Sequence, residues 1–384
     1  VTKRLKVDNI VDTAGTGKPN FPVSPTSGGA ALSTLNTHSY TSSATEPSSP
    51  NNGAIWWDSA NSKVYVYASG EFKEITLNTA YPSAYGSAVP YGDRAFRMGG
   101  TPGGASNNID YWDMTTSGNA ADFGDLSVGG NSFAGAGDGT YGYVIGGNSR
   151  TTTIDYFATA TLGNASDFGD TGTVSVNGSA KTNGSKCVYN TGESTANQTG
   201  NLNTIEQFTT GTPANATDFG DLSEGKAYVG SCANLTRMVF AGGEKTDSSR
   251  SNVMEYVTFD TAGNATDFGD TAANVYRLAG AGTGEGDRGI FFAGYETAHA
   301  NNRIEYITVS TTGNTTDFGD LHTSATITAS CNNATKAHCY GGYNGSAAIN
   351  NIQEITMATT GNATDFGDLT SAVYYLAGAS GAAS

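Results

Sequence analysis

The sequence predicts an all-β protein, most of it closed into a ring of six four-stranded blades. Three observations carry that expectation. One eight-residue phrase returns six times: GNAADFGD (118–125), GNASDFGD (163–170), ANATDFGD (214–221), GNATDFGD (263–270), GNTTDFGD (313–320) and GNATDFGD again (361–368). Its first aspartates, Asp122, Asp167, Asp218, Asp267, Asp317 and Asp365, are spaced by 45, 51, 49, 50 and 48 residues. Around each phrase lie short apolar runs separated by Gly, Asn, Asp and Thr, with no sustained helical periodicity, in a chain of 384 residues that holds 52 glycines and is only 14% charged. Short strands recurring in tandem at this period are the mark of propeller blades.

Taken in chain order, residues 1–53 are rich in Ser, Thr, Pro and Asn and read as an extended N-terminal arm. Residues 54–79 hold three short alternating runs around Trp56, Trp57 and Val64–Tyr67, a small β-meander too slight to stand alone. The blades fill 80–384. Each unit opens with a small-residue strand such as VYRLAGAG (275–282), then an apolar strand ending in glycine, such as AFRMGG (95–100) or MVFAGG (238–243). A polar loop follows, then an alternating strand: NIDYWDM, TIDYFAT, TIEQFTT, VMEYVTF, RIEYITV, IQEITMA. The fourth strand is expected to run through or into the DFGD phrase. The small-residue strand has a seventh copy, SAVYYLAGAS (371–380), which is expected to join the first blade, latch the ring and remove an open sheet edge.

Local chemistry assigns the phrase a structural job. Gly-Asn favours left-handed backbone, the first Asp can accept backbone N–H bonds across a bend, and the second can cap the next turn. Phe123, Phe168, Phe219, Phe268, Phe318 and Phe366 have no polar tip and are expected to be buried between blades. A calcium loop needs acids at alternating positions and a bidentate Glu, which the phrase lacks. The phrase is therefore read as a turn the fold needs six times, and no metal or cofactor is expected.

The units resemble kelch-type β-propellers. Gly99–Gly100, Gly146–Gly147, Gly242–Gly243 and Gly341–Gly342 match that family's double glycine, and Tyr111, Tyr156, Tyr256 and Tyr306 its tyrosine. Phe of DFGD stands where kelch has Trp, and the third unit reads CVYNTG (187–192) in place of the double glycine. The N-terminal stretch LKVDNIVDTAGTGKPNFP (5–22) resembles the opening of tail-fibre and other virion proteins of marine bacteriophages, and PSSPNNGAIWWDSANSKVYVYASGEFKEI (47–75) is similar to a β-module found in that setting. This resemblance implies a virion protein, anchored first and displaying its propeller last.

Net charge is −16, but twelve of the acids belong to the six phrases and the balance without them is −4. Nucleic acid would need clustered Lys and Arg, and the one basic cluster is Lys3, Arg4 and Lys6. No run is apolar enough to span a membrane and the start is charged, so synthesis in a host bacterial cytoplasm is expected. Cys187, Cys232, Cys331 and Cys339 have no framework spacing and read as buried thiols; His338 next to Cys339 is read as a satisfied core residue. The acids Asp110, Asp155, Glu206, Glu255, Glu305 and Glu354 recur at blade spacing and are read as scaffold, so no catalytic residue is assigned. Binding is expected in the variable loops after the apolar strands, with Arg150, Asn197, Arg250, His299 and Asn344 as candidate receptor-facing residues. The expected function is a non-enzymatic tail-fibre or appendage protein, homo-oligomeric, held to other virion proteins by its arm and attaching to host-surface glycan. The alternatives are a decoration or spacer without a receptor, and a glycan-degrading propeller.

Overall fold

The computed structural model describes residues 92–382 apart from 102–103, 149–151, 194–199, 283–286 and 297–298; before them it describes 26–27, 30–31, 40–43, 45–48, 54–58, 63–68 and 71–74. The chain divides into two units, Val1–Ala84 and Tyr85–Ser384.

In the first unit Ile55–Asp58, Lys63–Ala68 and Glu71–Glu74 form an antiparallel meander. A fourth strand, Tyr40–Ser43, lies within the stretch expected to be extended arm and pairs parallel with Ile55–Asp58. Trp56 explains the sheet: it is 6% exposed, stacks on Tyr65 at 4.9 Å, meets Phe72 at 5.4 Å, and its indole N–H donates to the Ser43 carbonyl at 3.1 Å. The arm's residues 1–25 and the stretch AYPSAYGSAV (80–89), which is similar to the small-residue strand, lie outside the described residues.

The second unit is a six-bladed β-propeller. Blade 2 shows the plan: Ala134–Gly137, Tyr141–Ile145, Thr153–Ala158 and Ser166–Asp170 pair antiparallel in that order, from the axis outward. Blades 3, 4, 5 and 6 repeat it with inner strands Ser179–Thr182, Gly230–Ala233, Ala279–Ala281 and Ala329–Asn332. Blade 1 is completed by the chain's end: Ala377–Gly381 pairs with Arg94–Met98, which continues to Ser106–Asp113 and Ala121–Gly130. The latch read from the sequence is thus present, and it leaves neither chain end as an unpaired blade edge. Inner strands are small because they crowd: a Cβ on Gly135 would come within 2.7 Å of the Gly378 carbonyl oxygen, and one on Gly280 within 2.1 Å of that of Ser231.

The DFGD phrase is not a turn, which corrects the sequence reading. In all six blades it is the outermost strand and carries a β-bulge. In blade 2, Ile154 pairs with Gly169 and Asp155 with Asp167, so Phe168 is the extra residue; the same shift recurs in the other five. The bulge turns each phenylalanine inward, and all six are between 2% and 8% exposed. Each lies in a cluster that also holds residues of the following blade: Phe168 with Tyr189 and Phe208, Phe268 with Phe291 and Ile307, Phe366 with Trp112 and Met114.

The rest of the phrase clasps neighbouring blades together. Asn Oδ1 accepts the N–H of the preceding blade's second aspartate: Asn164 from Asp125 at 3.1 Å, Asn215 from Asp170 at 3.0 Å, Asn264 from Asp221 at 3.1 Å, Asn314 from Asp270 at 3.0 Å and Asn362 from Asp320 at 3.0 Å. Asn119 accepts from Asp368 at 3.1 Å and closes the circle. In five of these seams the residue after Asn donates its own N–H to that aspartate's carbonyl, for example Ala165 to Asp125 and Ala120 to Asp368, both at 2.8 Å. The phrase's central glycine is required by this approach. A Cβ on Gly124 would lie 2.3 Å from the Gly163 carbonyl oxygen, and on Gly367 2.2 Å from that of Gly118.

A second belt uses the acid of the third strand. Asp155 accepts from Ser127 N–H at 2.8 Å and Ser127 Oγ at 2.6 Å; Glu206 accepts from Gly172 N–H at 3.0 Å and Glu255 from Ser223 N–H at 2.8 Å. Asp110 takes the Thr370 hydroxyl at 2.7 Å across the closing seam. In blade 6 the register places Gln353, not Glu354, opposite Asp365, and Gln353 Oε1 accepts the Thr323 N–H at 2.7 Å. The sequence alignment of that blade was one residue out, because an amide fills the role of the acid.

Candidate functional site

Repeated residues build the ring, so a site must be sought where the blades differ. Just before each inner strand lies one residue with left-handed backbone: Ser132 (φ 62°), Asn177 (56°), Tyr228 (57°), Arg277 (63°), Ile327 (58°) and Tyr375 (57°). For residues other than glycine this conformation costs about 1–2 kcal/mol each. The fold offsets it with a closed circle of backbone hydrogen bonds around the axis. Ser132 N–H donates to Tyr375 O (2.8 Å), Asn177 to Ser132 (2.9 Å), Tyr228 to Asn177 (2.8 Å), Arg277 to Tyr228 (2.8 Å), Ile327 to Arg277 (3.3 Å) and Tyr375 to Ile327 (3.2 Å). The backbone is sixfold here while the side chains are not.

Two of these side chains, Tyr228 and Tyr375, belong to an arc of aromatic rings, and a third, Arg277, lies among them. Tyr295, Tyr276, Tyr228, Tyr375, Tyr374 and Tyr343 follow one another at centroid distances of 5.6, 6.0, 6.4, 5.3 and 5.8 Å, and all are half-buried. Two guanidinium groups are interleaved. Arg277 Cζ lies 5.1, 4.8 and 5.9 Å from the Tyr228, Tyr276 and Tyr375 rings; Arg250 Cζ lies 5.1 and 5.3 Å from Tyr276 and Tyr295. Cation–π contact holds both; among the described residues neither forms a direct ion pair, and the Glu244 carboxylate senses the charge of both. Burial pushes the Tyr228 phenol well above its ordinary pKa, with Tyr375 and Glu193 acting in the same direction, so it stays a neutral donor. On the other side of the axis the circle carries Ser132 and Asn177, and Asn177 Nδ2 donates to Glu193 Oε1 at 3.1 Å.

The loops after the apolar strands share this end of the propeller. They bridge to the segments that carry the circle: Tyr276 to Tyr295, Thr326 to Tyr343, Thr101 to Tyr374, and Lys226–Ala227 to Glu244–Lys245. Arg250 is therefore part of the arc. Asn344 follows Tyr343 and is exposed, its Oδ1 accepting the Ser346 and Ala347 N–H groups at 2.9 Å each. His299 begins the strand His299–Thr308, with its backbone opposite Glu296. Arg150 and Asn197 lie outside the described residues. The sequence reading passed over Tyr228, Tyr276, Arg277, Tyr374 and Tyr375, since they sit in a segment classed as repeated scaffold. The available signal was bulk: NVYRL and AVYYL carry rings and a guanidinium where NSFAG carries Asn and Ser at the matching positions.

The remaining chemistry-bearing groups are committed to the core. His338 is fully buried; its Nδ1 accepts the Trp112 indole N–H at 2.9 Å and its Nε2 lies 3.1 Å from Glu354. Burial pushes its pKa below the ordinary histidine value despite the Glu354 contact. Cys187, Cys232, Cys331 and Cys339 are buried free thiols, each with its pKa raised by burial. Asp155, Glu206 and Glu255 face backbone N–H groups of adjacent blades, Asp110 the Thr370 hydroxyl, and Glu354 the side chains of Lys336 and His338.

A scan against protein-family models finds no match, and a search of curated proteins finds none that is similar.

Proposed function

We propose that this protein is a non-enzymatic structural component of a bacteriophage virion, a tail-fibre or appendage protein that attaches to host-surface glycan through the tyrosine–arginine arc. The observation that carries the binding part is the arc itself. A backbone that repeats six times spends a strained position on Tyr228, Arg277 and Tyr375 and assembles six rings and two guanidiniums on one half of one face. Half-buried phenol rings offer flat apolar faces to the C–H side of a sugar, and their hydroxyls with the guanidinium N–H groups offer hydrogen bonds to its oxygens. Rings held against arginines lose little side-chain entropy on binding.

The virion part rests on the N-terminal resemblance over residues 5–22 and 47–75. In this reading residues 1–53 join the chain to other virion proteins, the propeller projects outward, and the assembly is homo-oligomeric. The low Lys and Arg content speaks against a nucleic-acid partner.

The test is binding of the full-length chain to host cells and to their extracted surface polysaccharide. Wild type should bind both, and Tyr276→Ala and Tyr295→Ala should each weaken binding about tenfold, equivalent to roughly 1.4 kcal/mol, while each variant still melts cooperatively. A wild-type chain that binds neither sample would make this a spacer or decoration protein.

A further inference from the structure

The six inner strands read AGAG, SAKT, GSCA, AGA, ASCN and AGASG, and Lys181 is the one charged residue on them. Register places it in a single layer around the axis. Ala379 opposite Phe96, Ala136 opposite Tyr143, Lys181 opposite Val188, Cys232 opposite Val239, Ala281 opposite Ile290 and Cys331 opposite His338 are equivalent pairs. At about 3.3 Å per residue the layer lies roughly 13 Å along the strand from Asn177 in the circle at the mouth. Five members of the layer are alanine or cysteine, each buried in a core between neighbouring blades; the sixth carries a long ammonium.

That ammonium has no counter-charge. Among the described residues no carboxylate pairs with Lys181, and the ionisable groups that act on it are the thiols of Cys232, Cys331 and Cys187. They come from blades 4, 6 and 3, so the charge is sensed on both sides of the axis. All three are buried and held protonated. The neighbouring hydroxyls are committed: Ser179 Oγ to Ser231 Oγ at 2.5 Å, Thr182 Oγ1 to the Gly137 carbonyl at 2.7 Å, and Ser380 Oγ to the Asn332 carbonyl at 2.7 Å. Lys181 is nevertheless half-buried, unlike the other five residues of the layer. Burial pushes its pKa down to about 8, which leaves it charged at neutral pH. A charge enclosed in this way is normally paired.

We propose that Lys181, in the inner-strand layer around the axis, is a binding site for a small inorganic anion, which supplies the counter-charge the protein does not. The site is separate from the tyrosine–arginine arc and does not depend on the glycan reading.

The experiment follows the lysine Cε signals of the isotope-labelled full-length chain by NMR through a pH titration. It is run in a buffer whose anion is a bulky organic sulfonate, then with chloride and with inorganic phosphate added separately at constant ionic strength. One lysine should titrate near pH 8, apart from the ordinary lysines at about 10.4; it should vanish in Lys181→Met, and chloride or phosphate should move its midpoint upward until the effect saturates. A midpoint that neither anion moves would overturn the proposal. Melting gives the second readout: the added anion should raise the wild-type midpoint by several degrees and leave that of Lys181→Met in place. Equal rises in both proteins would also overturn it, since they would reflect general salt exclusion. If Lys181→Met does not fold, the wild-type titration decides alone.

Discussion

Phe268→Ala should lower the unfolding free energy by about 3–5 kcal/mol, the usual cost of truncating a buried phenylalanine. The ring is 2% exposed, meets Tyr256 edge-on at 6.0 Å, and shares its cluster with Phe291, Ile307 and Val309 of the next blade. Denaturant unfolding of the two proteins measures the difference. A loss under about 1 kcal/mol, the scale of an ordinary surface change, would mean that the bulged phenylalanines do not join the blades.

Ending the chain after Leu376 should have a larger effect still. It removes Ala377–Gly381, and with it the five-residue ladder to Arg94–Met98. Buried Ala377 and Ala379 go as well, and blade 1 loses the strand that meets the inner strands of blades 2 and 6. Arg94–Met98 becomes an open edge carrying buried Phe96 and Met98, a template for pairing with other chains. The expected loss is comparable with the whole stability of a domain, ~5–15 kcal/mol, seen as aggregation in size-exclusion chromatography and loss of cooperative melting. A truncated chain that stays monomeric with an unchanged melting temperature would show that the ring does not depend on its latch.

Much of this architecture was legible because its signals are local and repeated. The six phrases, the double glycines and the seventh small-residue strand are each read within a window of a few residues, and together they set the blade number and the closure. The role of the phrase was not legible in the same way. Gly-Asn looks like a turn from its own chemistry, whereas Asn164 acts on Asp125 and Asn119 on Asp368, and no local pattern marks a partner in another blade. Blade 6 was misaligned for a related reason. The pattern asked for an acid, and Gln353 serves because the position needs only an oxygen to accept a backbone N–H. The arc was hidden by distance along the chain. Tyr228 and Tyr375 are far apart in sequence and meet at 6.4 Å because the ring brings their blades to one axis.

The sixfold phrase holds neighbouring blades together, which leaves binding to the residues that do not repeat. The Asn oxygens that a cation would need already accept the aspartate N–H of the neighbouring blade. The most direct test is the melting temperature of the full-length chain in excess calcium and in chelator. The two values should coincide. A rise of several degrees in calcium would contradict the account, because an ion bound by the folded form alone stabilises that form.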